Sequence, residues 1–428
     1  MTGVGTFALG ALVVVGCGSG ALGGAPESSA SQGARAVADT GDVPIYEWDP
    51  TWPKQPLPDN WQVGPVVGVS VDAMDHVWVV HRPIGAVSAI QARCCVPAPA
   101  VIEFDQEGNV VQAWGGPRAE DMAPAGASDS RPPTLTWTPP TDYEWVNSEH
   151  NIFVDHQNHV WLGNYSGSHI LKFSRDGELL LQIGRAKAKG QDSNVTDAFA
   201  SPTGIAVDPA TNEVYVADGY GNRRIIVFDG ETGAYKRHWG AYGNVPDDDA
   251  PFSYAPGGPP SQQFNTVHCV AIDQDGLVYA CDRANYRIQV FEKDGTFVRE
   301  VDIAPPPDEA AMIDITINNG KGAEYANTPV GMRTTQMGSL VDLTFSRDPD
   351  QRFVFVADGL SERVWILRRS DLEIVGSIGH PGHAGGGFTR AHNLGVDSSN
   401  NLYVSEGSTG RRVQRFLYRG MGSAGSQN

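Results

Sequence analysis

Short segments of alternating apolar and polar residues recur along most of this chain. In the clearest stretch, from Val267 to Val301, the segments CVAID, LVYACD, RIQVFE and TFVREV alternate as half-buried strands do. The turn sequences Gln-Asp-Gly, Arg-Ala-Asn-Tyr and Lys-Asp-Gly separate them. This stretch therefore predicts a sheet of four strands joined by short turns.

The same pattern of four strands returns six times. Equivalent copies start near Val67, His150, Thr203, Val341 and His392. One such sheet cannot bury both of its faces alone, so the units are expected to stack radially around a central channel. The repeats predict an all-β fold, a six-bladed β-propeller over residues 44–420.

The last copy supplies three strands, through Arg412 to Tyr418. A segment with strand character, Pro44 to Asp49 (PIYEWD), precedes the first copy. We predict that this N-terminal strand completes the sixth blade and closes the ring, and that residues 421–428 form a disordered tail. Three Pro/Gly-rich inserts should join the outer strand of one blade to the inner strand of the next: Pro117 to Tyr143, Ala241 to Gln263 and Ile303 to Met337.

The first 43 residues have a different composition. An apolar run from Phe7 to Val15 is too short to cross a bilayer but fits the core of a signal peptide, residues 1–17. Its end, Val-Val-Gly-Cys, resembles the lipobox of bacterial lipoproteins, which makes Cys17 the expected lipid attachment site. Residues 18–43, rich in Gly, Ala and Ser, are expected to form a flexible tether. These features predict export to the bacterial cell envelope, in the periplasm or at the surface, with membrane contact only through the lipid anchor.

The charge indicates which partners the protein can bind, and the cysteines indicate which disulfides it can form. The net charge of −19, without a cluster of Lys and Arg, argues against nucleic-acid binding, which requires a basic surface. We expect a monomer. Four further cysteines, Cys94, Cys95, Cys269 and Cys281, permit three pairings in an oxidising compartment. Cys269 and Cys281 would lie on neighbouring strands and are the favoured disulfide, with free buried thiols as the alternative.

Histidines occupy one position of alternate repeats. When the repeats are aligned on the Asp or Ser that follows each inner strand, the residue five positions earlier is in turn Val67, His150, Thr203, His268, Val341 and His392. Blades two, four and six are about 120° apart, so their side chains converge on the channel axis. Three imidazoles with an open fourth position are the ligands of a catalytic Zn²⁺. The pattern predicts a metal site made by His150, His268 and His392.

The turn between the second and third strands of each blade should reach the same face. It presents Arg82 in blade one, Tyr220 in blade three and Arg283 in blade four. Two cations and a phenol around a metal suit a small anionic or peptide-like substrate and a proton acceptor.

The chain resembles the NHL-repeat propellers and, among them, the peptidyl-α-hydroxyglycine α-amidating lyases. The resemblance covers roughly Trp52 to Phe416 and is strongest at GVSVD with VHRP, DGYGNRRI, VHCVAID with CDRANYRIQVF, and AHNLGVD. It implies a lyase that cleaves an N–C bond of a peptidyl-α-hydroxyglycine or similar carbinolamide acid, giving an amide and glyoxylate. It also implies three zinc ligands at the histidines, a catalytic base at Tyr220, and Arg82 and Arg283 as groups that hold the substrate carboxylate.

The family also holds a structural Ca²⁺ through an Asp after its last zinc histidine. Asn393 stands at that position here, so calcium binding would depend on its amide oxygen. Two other functions remain open: a metal-dependent hydrolase or lactonase on the same propeller, and a non-catalytic scaffold of the cell envelope that binds protein or peptide.

Overall fold

The fold is all-β, as predicted, and contains six four-stranded antiparallel sheets. A computed structural model describes residues 42–88, 90–116, 143–146, 148–185, 192–251, 258–303 and 339–423. The inner strands of the six sheets contact one another in a closed ring, which makes the sheets the blades of a propeller. The predicted signal peptide with Cys17, nearly all of the tether 18–43, and almost all of the first and third inserts lie outside the described residues.

Each blade has an inner strand at the channel and three strands stacked outward. Blade one contains β3 (Val66–Val71), β4 (Val77–His81), β6 (Val101–Phe104) and β7 (Val110–Trp114). Blade two contains β8 (Glu149–Val154), β9 (Val160–Asn164), β10 (His169–Phe173) and β11 (Leu179–Gly184). Blade three contains β12 (Gly204–Val207), β13 (Glu213–Asp218), β14 (Arg224–Asp229) and β15 (Tyr235–Trp239). A short parallel pair, β2 (Trp61–Gln62) and β5 (Val96–Pro97), lies outside the blades.

The remaining blades follow the same order. Blade four contains β16 (Val267–Ile272), β17 (Val278–Asp282), β18 (Arg287–Phe291) and β19 (Phe297–Asp302). Blade five contains β20 (Leu340–Phe345), β21 (Phe353–Asp358), β22 (Arg363–Arg368) and β23 (Ile374–Ile378). Blade six contains β24 (Ala391–Val396), β25 (Leu402–Glu406), β26 (Arg412–Ser423) and β1 (Asp42–Asp49). Helix among the described residues is confined to short 3₁₀ turns: Pro58–Asn60, Gln91–Arg93, Ala241–Gly243 and Arg283–Asn285.

The N-terminal strand closes the sixth blade, which confirms the prediction. Strand β1 pairs antiparallel with β26 from Asp42 opposite Ser423 to Asp49 opposite Arg415. The pair is longer than expected, because β1 begins two residues before Pro44 and β26 continues to Ser423. Residues 421–423, placed in a disordered tail by the sequence, are therefore part of a paired strand.

The Asp that follows an inner strand stabilises the turn to the second strand. In blade one, Asp72 accepts backbone N–H groups of Met74 and His76 and the indole N–H of Trp78. Asp155 binds Trp161 in the same way. These bonds explain why Asp recurs at this position, since its carboxylate satisfies turn donors that have no strand partner.

The hydrophobic core lies between neighbouring blades. The buried apolar residues that the structure describes form six clusters, one at each interface between two blades. Between blades one and two, for example, Trp78 and Val80 pack against Leu162 and Phe173. Each interface depends on both of its blades, and closure of the ring adds the sixth interface, between blades six and one.

Two disulfides join the four cysteines. Cys269 and Cys281 are opposite each other on β16 and β17, with their Cα atoms 5.0 Å apart. Cys94 is bonded to its neighbour Cys95 in the connection between β4 and β6. Among the described residues, no helix has the length and apolar character needed to cross a membrane.

Candidate functional site

The inner strands that carry the three histidines have a register shift beside each histidine. The pairing of β8 with β9 shifts register between His150 and Ile152, and β16 and β24 shift at the matching places beside His268 and His392. A bulge adds one residue to a strand and redirects its side chain. Blades one and five have the same shift at Val67 and Val341, so the shift belongs to the repeat, and the histidine at this position is what distinguishes blades two, four and six.

The histidines form a compact, buried cluster. The ring centres of His150 and His268 are 5.0 Å apart, those of His150 and His392 are 5.0 Å apart, and those of His268 and His392 are 5.3 Å apart. One ring nitrogen of each lies within 4.8 Å of the other two. The side chains are at most 8% exposed, so bulk water does not separate the nitrogens.

Each imidazole is oriented by a bond from its Nδ1. The Nδ1 of His150 lies 2.9 Å from the carbonyl oxygen of Thr203, and that of His268 lies 2.6 Å from the carbonyl oxygen of Val341. A carbonyl oxygen can only accept, so both Nδ1 atoms carry the proton and both Nε2 atoms keep a lone pair. The Nδ1 of His392 lies 2.5 Å from the amide oxygen Oδ1 of Asn393, which has the same effect.

Burial keeps the three histidines neutral. Desolvation holds the pKa of His150 and of His268 well below the usual range and lowers the pKa of His392 to about 3. Neighbouring positive charges act in the same direction, chiefly Arg283 on His268. The imidazoles are therefore in the form that binds a metal ion at neutral pH.

The cluster fits a metal ion. Metal-bound histidines almost always donate their other N–H to a carbonyl or carboxylate group, as all three do here. Within the described part of the chain, the Nε2 of His150 has no hydrogen-bond partner although it is buried. Three buried imidazoles that converge, one of them with an otherwise unsatisfied Nε2, have the ligand set and spacing that could hold a divalent metal ion.

Tyr220 and Arg283 adjoin the cluster, as the repeat register predicted. The phenol oxygen of Tyr220 lies 2.9 Å from Nε2 of His268, and Nη1 of Arg283 donates to that phenol oxygen at 3.3 Å. The Nε of Arg283 is buried and has no partner among the described residues. A hydroxyl that can exchange a proton thus lies beside the metal site with a permanent positive charge next to it.

Arg82 reaches the site from blade one together with Tyr165, a residue that the sequence reasoning missed. The guanidinium of Arg82 lies 5.2 Å from the ring centre of Tyr165, and its Nε donates to the backbone carbonyl of Glu149 at 3.0 Å. The Tyr165 ring stacks on His150 and meets the Tyr220 ring edge-on. Tyr165 follows β9 as Arg82 follows β4, so the same repeat register could have found it.

A third guanidinium, that of Arg390, was also missed. Its charge is close enough to Arg283 and Tyr220 to interact with both, and burial with repulsion from Arg283 lowers its pKa to about 10. The backbone N–H groups of Arg390 and Ala391 donate to the carboxylate of Glu362 at 2.6 and 3.1 Å. Burial raises the pKa of Glu362 to about 7 despite these bonds.

Asn393, the residue considered for calcium, has both amide atoms in use. Its Nδ2 donates to Asp342 at 3.1 Å, which directs its Oδ1 to His392. Burial raises the pKa of Asp342 to about 7, against bonds from the Leu394 backbone and from Asn393. The amide oxygen therefore serves the histidine cluster in this structure.

A second group of potential ligands, Asp72, His76 and Glu103, lies away from the three histidines. The guanidinium of Arg175 contacts all three: it is 2.9 Å from Asp72 and 3.2 Å from His76, and it forms an ion pair with Glu103. A cation from the chain already neutralises these acids, so this group is a salt-bridge network between blades one and two.

Comparisons with known proteins agree with the repeat pattern. The family model described as NHL repeat matches residues 199–228 and 264–291, which correspond to blades three and four. The chain is 34% identical over 158 residues to rat peptidylglycine alpha-amidating monooxygenase, a match that covers 36% of this chain and 14% of that protein. It thus spans about one seventh of the length of this relative.

Shorter relatives are covered more fully. Drosophila peptidyl-alpha-hydroxyglycine alpha-amidating lyase 1 is 26% identical over 266 residues, 59% of this chain and 41% of that protein. Human NHL repeat-containing protein 3 is 24% identical over 259 residues, 58% of this chain and 57% of that protein. Among solved structures, virginiamycin B lyase from Staphylococcus aureus aligns with a TM-score of 0.43 and 12% identity over 84% of this chain and 87% of that one.

Proposed function

Because the chain is a six-bladed propeller with NHL repeats and with homology to peptidyl-α-hydroxyglycine amidating lyases, we propose that it is a zinc-dependent carbon–nitrogen lyase. Its proposed substrate is a carbinolamide acid of the peptidyl-α-hydroxyglycine kind, and its products are an amide and glyoxylate. The observation that carries this proposal is the buried cluster of His150, His268 and His392 with Tyr220 in contact with it.

His150, His268 and His392 would hold the metal through their Nε2 atoms. A bound divalent ion would supply Lewis-acid polarisation of a substrate oxygen and lower the pKa of the α-hydroxyl group. Zinc is favoured because three neutral imidazoles in a buried, closed setting are ligands that it binds readily.

Tyr220 would move the proton. Starting as the tyrosinate, its oxygen takes the proton of the α-hydroxyl group and becomes the neutral phenol. The O–H electrons form the aldehyde carbonyl, and the N–C bond breaks with its electrons passing to nitrogen. Tyr220 then returns the proton to that nitrogen, so one substrate gives one amide and one glyoxylate without water or an oxidant. Arg283, whose Nη1 donates to the phenol oxygen, would stabilise the tyrosinate that is present before the first transfer and after the second.

Arg82 and Arg283 would bind the substrate carboxylate. Both carry a permanent charge and neither has a carboxylate partner within 4.0 Å among the described residues, so each has donors to offer. The ring of Tyr165 fixes Arg82 on one side of the cluster.

The test uses the purified full chain, wild type beside His268→Ala, with His238→Ala as a control histidine on β15, outside the cluster. Metal content is measured by mass spectrometry and glyoxylate release from an N-acyl-α-hydroxyglycine is followed. We expect about one zinc per chain and glyoxylate release in the wild type and in His238→Ala, with both lost in His268→Ala. A wild-type protein that neither contains nor takes up metal would overturn the proposal.

We also propose export to an oxidising compartment, with an N-terminal lipid anchor at Cys17 and a monomeric propeller. The two disulfides support the compartment, because disulfides persist where thiols are not kept reduced.

A further inference from the structure

Arg390 is the exception at its position in the repeat. The residue two places before the histidine position is small or neutral in five blades: Pro65, Ser148, Ser201, Thr266 and Ser339. In the sixth blade it is Arg390, the single charged side chain of the six. The difference therefore belongs to this blade and not to the architecture of the repeat.

Arg390 shares its backbone conformation with the equivalent residues of blades three and four, so its side chain is what differs from those blades. Arg390 has a left-handed backbone with φ of 73°, and Ser201 and Thr266 have φ of 65° and 59°. Non-glycine residues in this region carry strain, which surrounding bonds must hold in place. At Arg390 the carboxylate of Glu362 provides them by accepting two backbone N–H groups, which leaves the guanidinium directed elsewhere.

Two buried arginines away from the site have acidic partners. The buried guanidiniums of Arg224 and Arg287 lie 3.0 and 2.8 Å from the carboxylates of Asp218 and Asp282. Among the described residues, the guanidinium of Arg390, in contrast, has a single hydrogen bond, in which Nη1 donates to the carbonyl oxygen of Gly359 at 3.4 Å. In the described part of the chain it has no carboxylate within 4.0 Å.

The same contrast holds for the other two arginines of the site. Arg82 donates to a backbone carbonyl and Arg283 to the Tyr220 phenol. The closest acids direct their oxygens to other donors: Glu149 to the indole N–H of Trp145, and Glu362 to backbone N–H groups. Three guanidiniums thus adjoin the histidine cluster without paired carboxylates, and a second anionic group on the substrate would give the third guanidinium a partner of its own.

We infer that Arg390 binds a second anionic group of the substrate, so that the substrate is a carbinolamide acid with two carboxylates, one on the α-hydroxyglycine carbon and one on the acyl side. This inference rests on the proposed function, since it assigns the first carboxylate to Arg82 and Arg283. An arginine at this place suits a planar carboxylate that accepts two N–H bonds at once.

The experiment compares matched substrates with the zinc-loaded full chain. N-malonyl-, N-succinyl- and N-glutaryl-α-hydroxyglycine are each measured beside the neutral acyl group of the same length, and KM and kcat for glyoxylate release are determined. In the wild type, at least one dicarboxylate should have a KM about tenfold or more below that of its neutral partner. Arg390→Met should remove this preference, and Arg390→Lys should retain part of it. Arg419→Met, an exposed arginine on β26, should keep the full preference.

Binding measurements distinguish a failure of the inference about Arg390 from a failure of the proposed reaction. Calorimetry with malonate, succinate and glutarate against the monocarboxylates of equal length reports the anion site without turnover. If no dicarboxylate binds better, or if Arg390→Met leaves the preference intact, the inference is overturned even when glyoxylate is released. If no substrate releases glyoxylate but dicarboxylates bind through Arg390, the proposed reaction is wrong and the second anion site stands.

Discussion

The phenol oxygen of Tyr220 lies 2.9 Å from Nε2 of His268, the nitrogen that faces the centre of the three-histidine cluster. The two residues come from blades three and four, so their contact depends on the packing of these two blades. One Nε2 lone pair cannot both accept from a phenol and bind a metal ion. If a metal ion bound that Nε2, the phenol would give up its bond to His268, and its hydroxyl would remain next to the centre of the cluster.

Removal of that hydroxyl should abolish the reaction and leave the metal in place. Tyr220→Phe keeps the ring that packs on His150 and His268 but loses the proton carrier. We expect kcat for glyoxylate release to fall by about 10²–10⁴-fold, with an unchanged metal content. Tyr235→Phe, at an exposed tyrosine on β15, is the matched control. A Tyr220→Phe variant with near-normal kcat would rule out this role.

Asn393 should increase the metal affinity of the cluster by orienting His392. Its Oδ1 accepts the Nδ1 proton of His392 at 2.5 Å, and Asn393→Leu removes this acceptor. Loss of such a partner typically weakens metal binding by about 10–100-fold, because the ring is no longer held in one orientation. Titration with a zinc chelator measures the change. Asn393→Asp retains an acceptor oxygen and should bind zinc more tightly than the leucine variant; equal affinities of wild type and Asn393→Leu would contradict the prediction.

The disulfide in blade four should stabilise the fold. Cys269 and Cys281 are 12 positions apart. Closing a loop of this length lowers the entropy of the unfolded chain, which raises its free energy by about 3 kcal/mol at 25 °C. Cys269→Ala/Cys281→Ala should lose stability of that order in chemical unfolding without a reductant. With a reductant present, the wild type should approach the variant. No difference under oxidising conditions would show that the bond contributes nothing.

Glu362 should make stability depend on pH. Burial raises its pKa in the folded protein to about 7, above the unfolded value near 4.3. The folded form therefore retains a proton that the unfolded chain has lost, and the stabilisation, complete below pH 4.3, disappears as the pH rises through 7. Glu362→Gln should gain on the order of 2 kcal/mol relative to wild type between pH 4 and pH 8.

Unfolding curves at several pH values, with exposed Glu107→Gln as the control, measure this effect. The control should run parallel to wild type across the range, because Glu107 is exposed. A Glu362→Gln curve that is also parallel to wild type would contradict the assignment.

The repeat pattern alone was enough to predict the blades and the three histidines, because strand alternation and a fixed repeat register are local properties of the sequence. It also predicted the closing strand at Pro44 to Asp49, although the pairing with β26 added two residues at its start. The turn register that singled out Arg82 and Arg283 would have given Tyr165 as well.

Other parts of the site depend on contacts between distant residues. The register shifts beside the histidines are visible only once strands are paired. Arg390 reaches the cluster because its backbone is left-handed and is held by Glu362 from the preceding blade, and the sequence places these two residues 28 positions apart. Asp342 orients Asn393 in a similar way, from 51 positions away.

The pairing of β1 with β26 has a consequence for the order in which the chain folds. Asp49 and Arg415 form an ion pair across 366 positions of sequence, so β1 is synthesised long before its partner. At about 5–20 residues per second, roughly 20–70 s separate the two strands. During that time the edges of β1 are open to wrong pairing, and the ring cannot close. We therefore expect the ring to close only after β26 has been synthesised, because the pairing of β26 with β1 completes blade six.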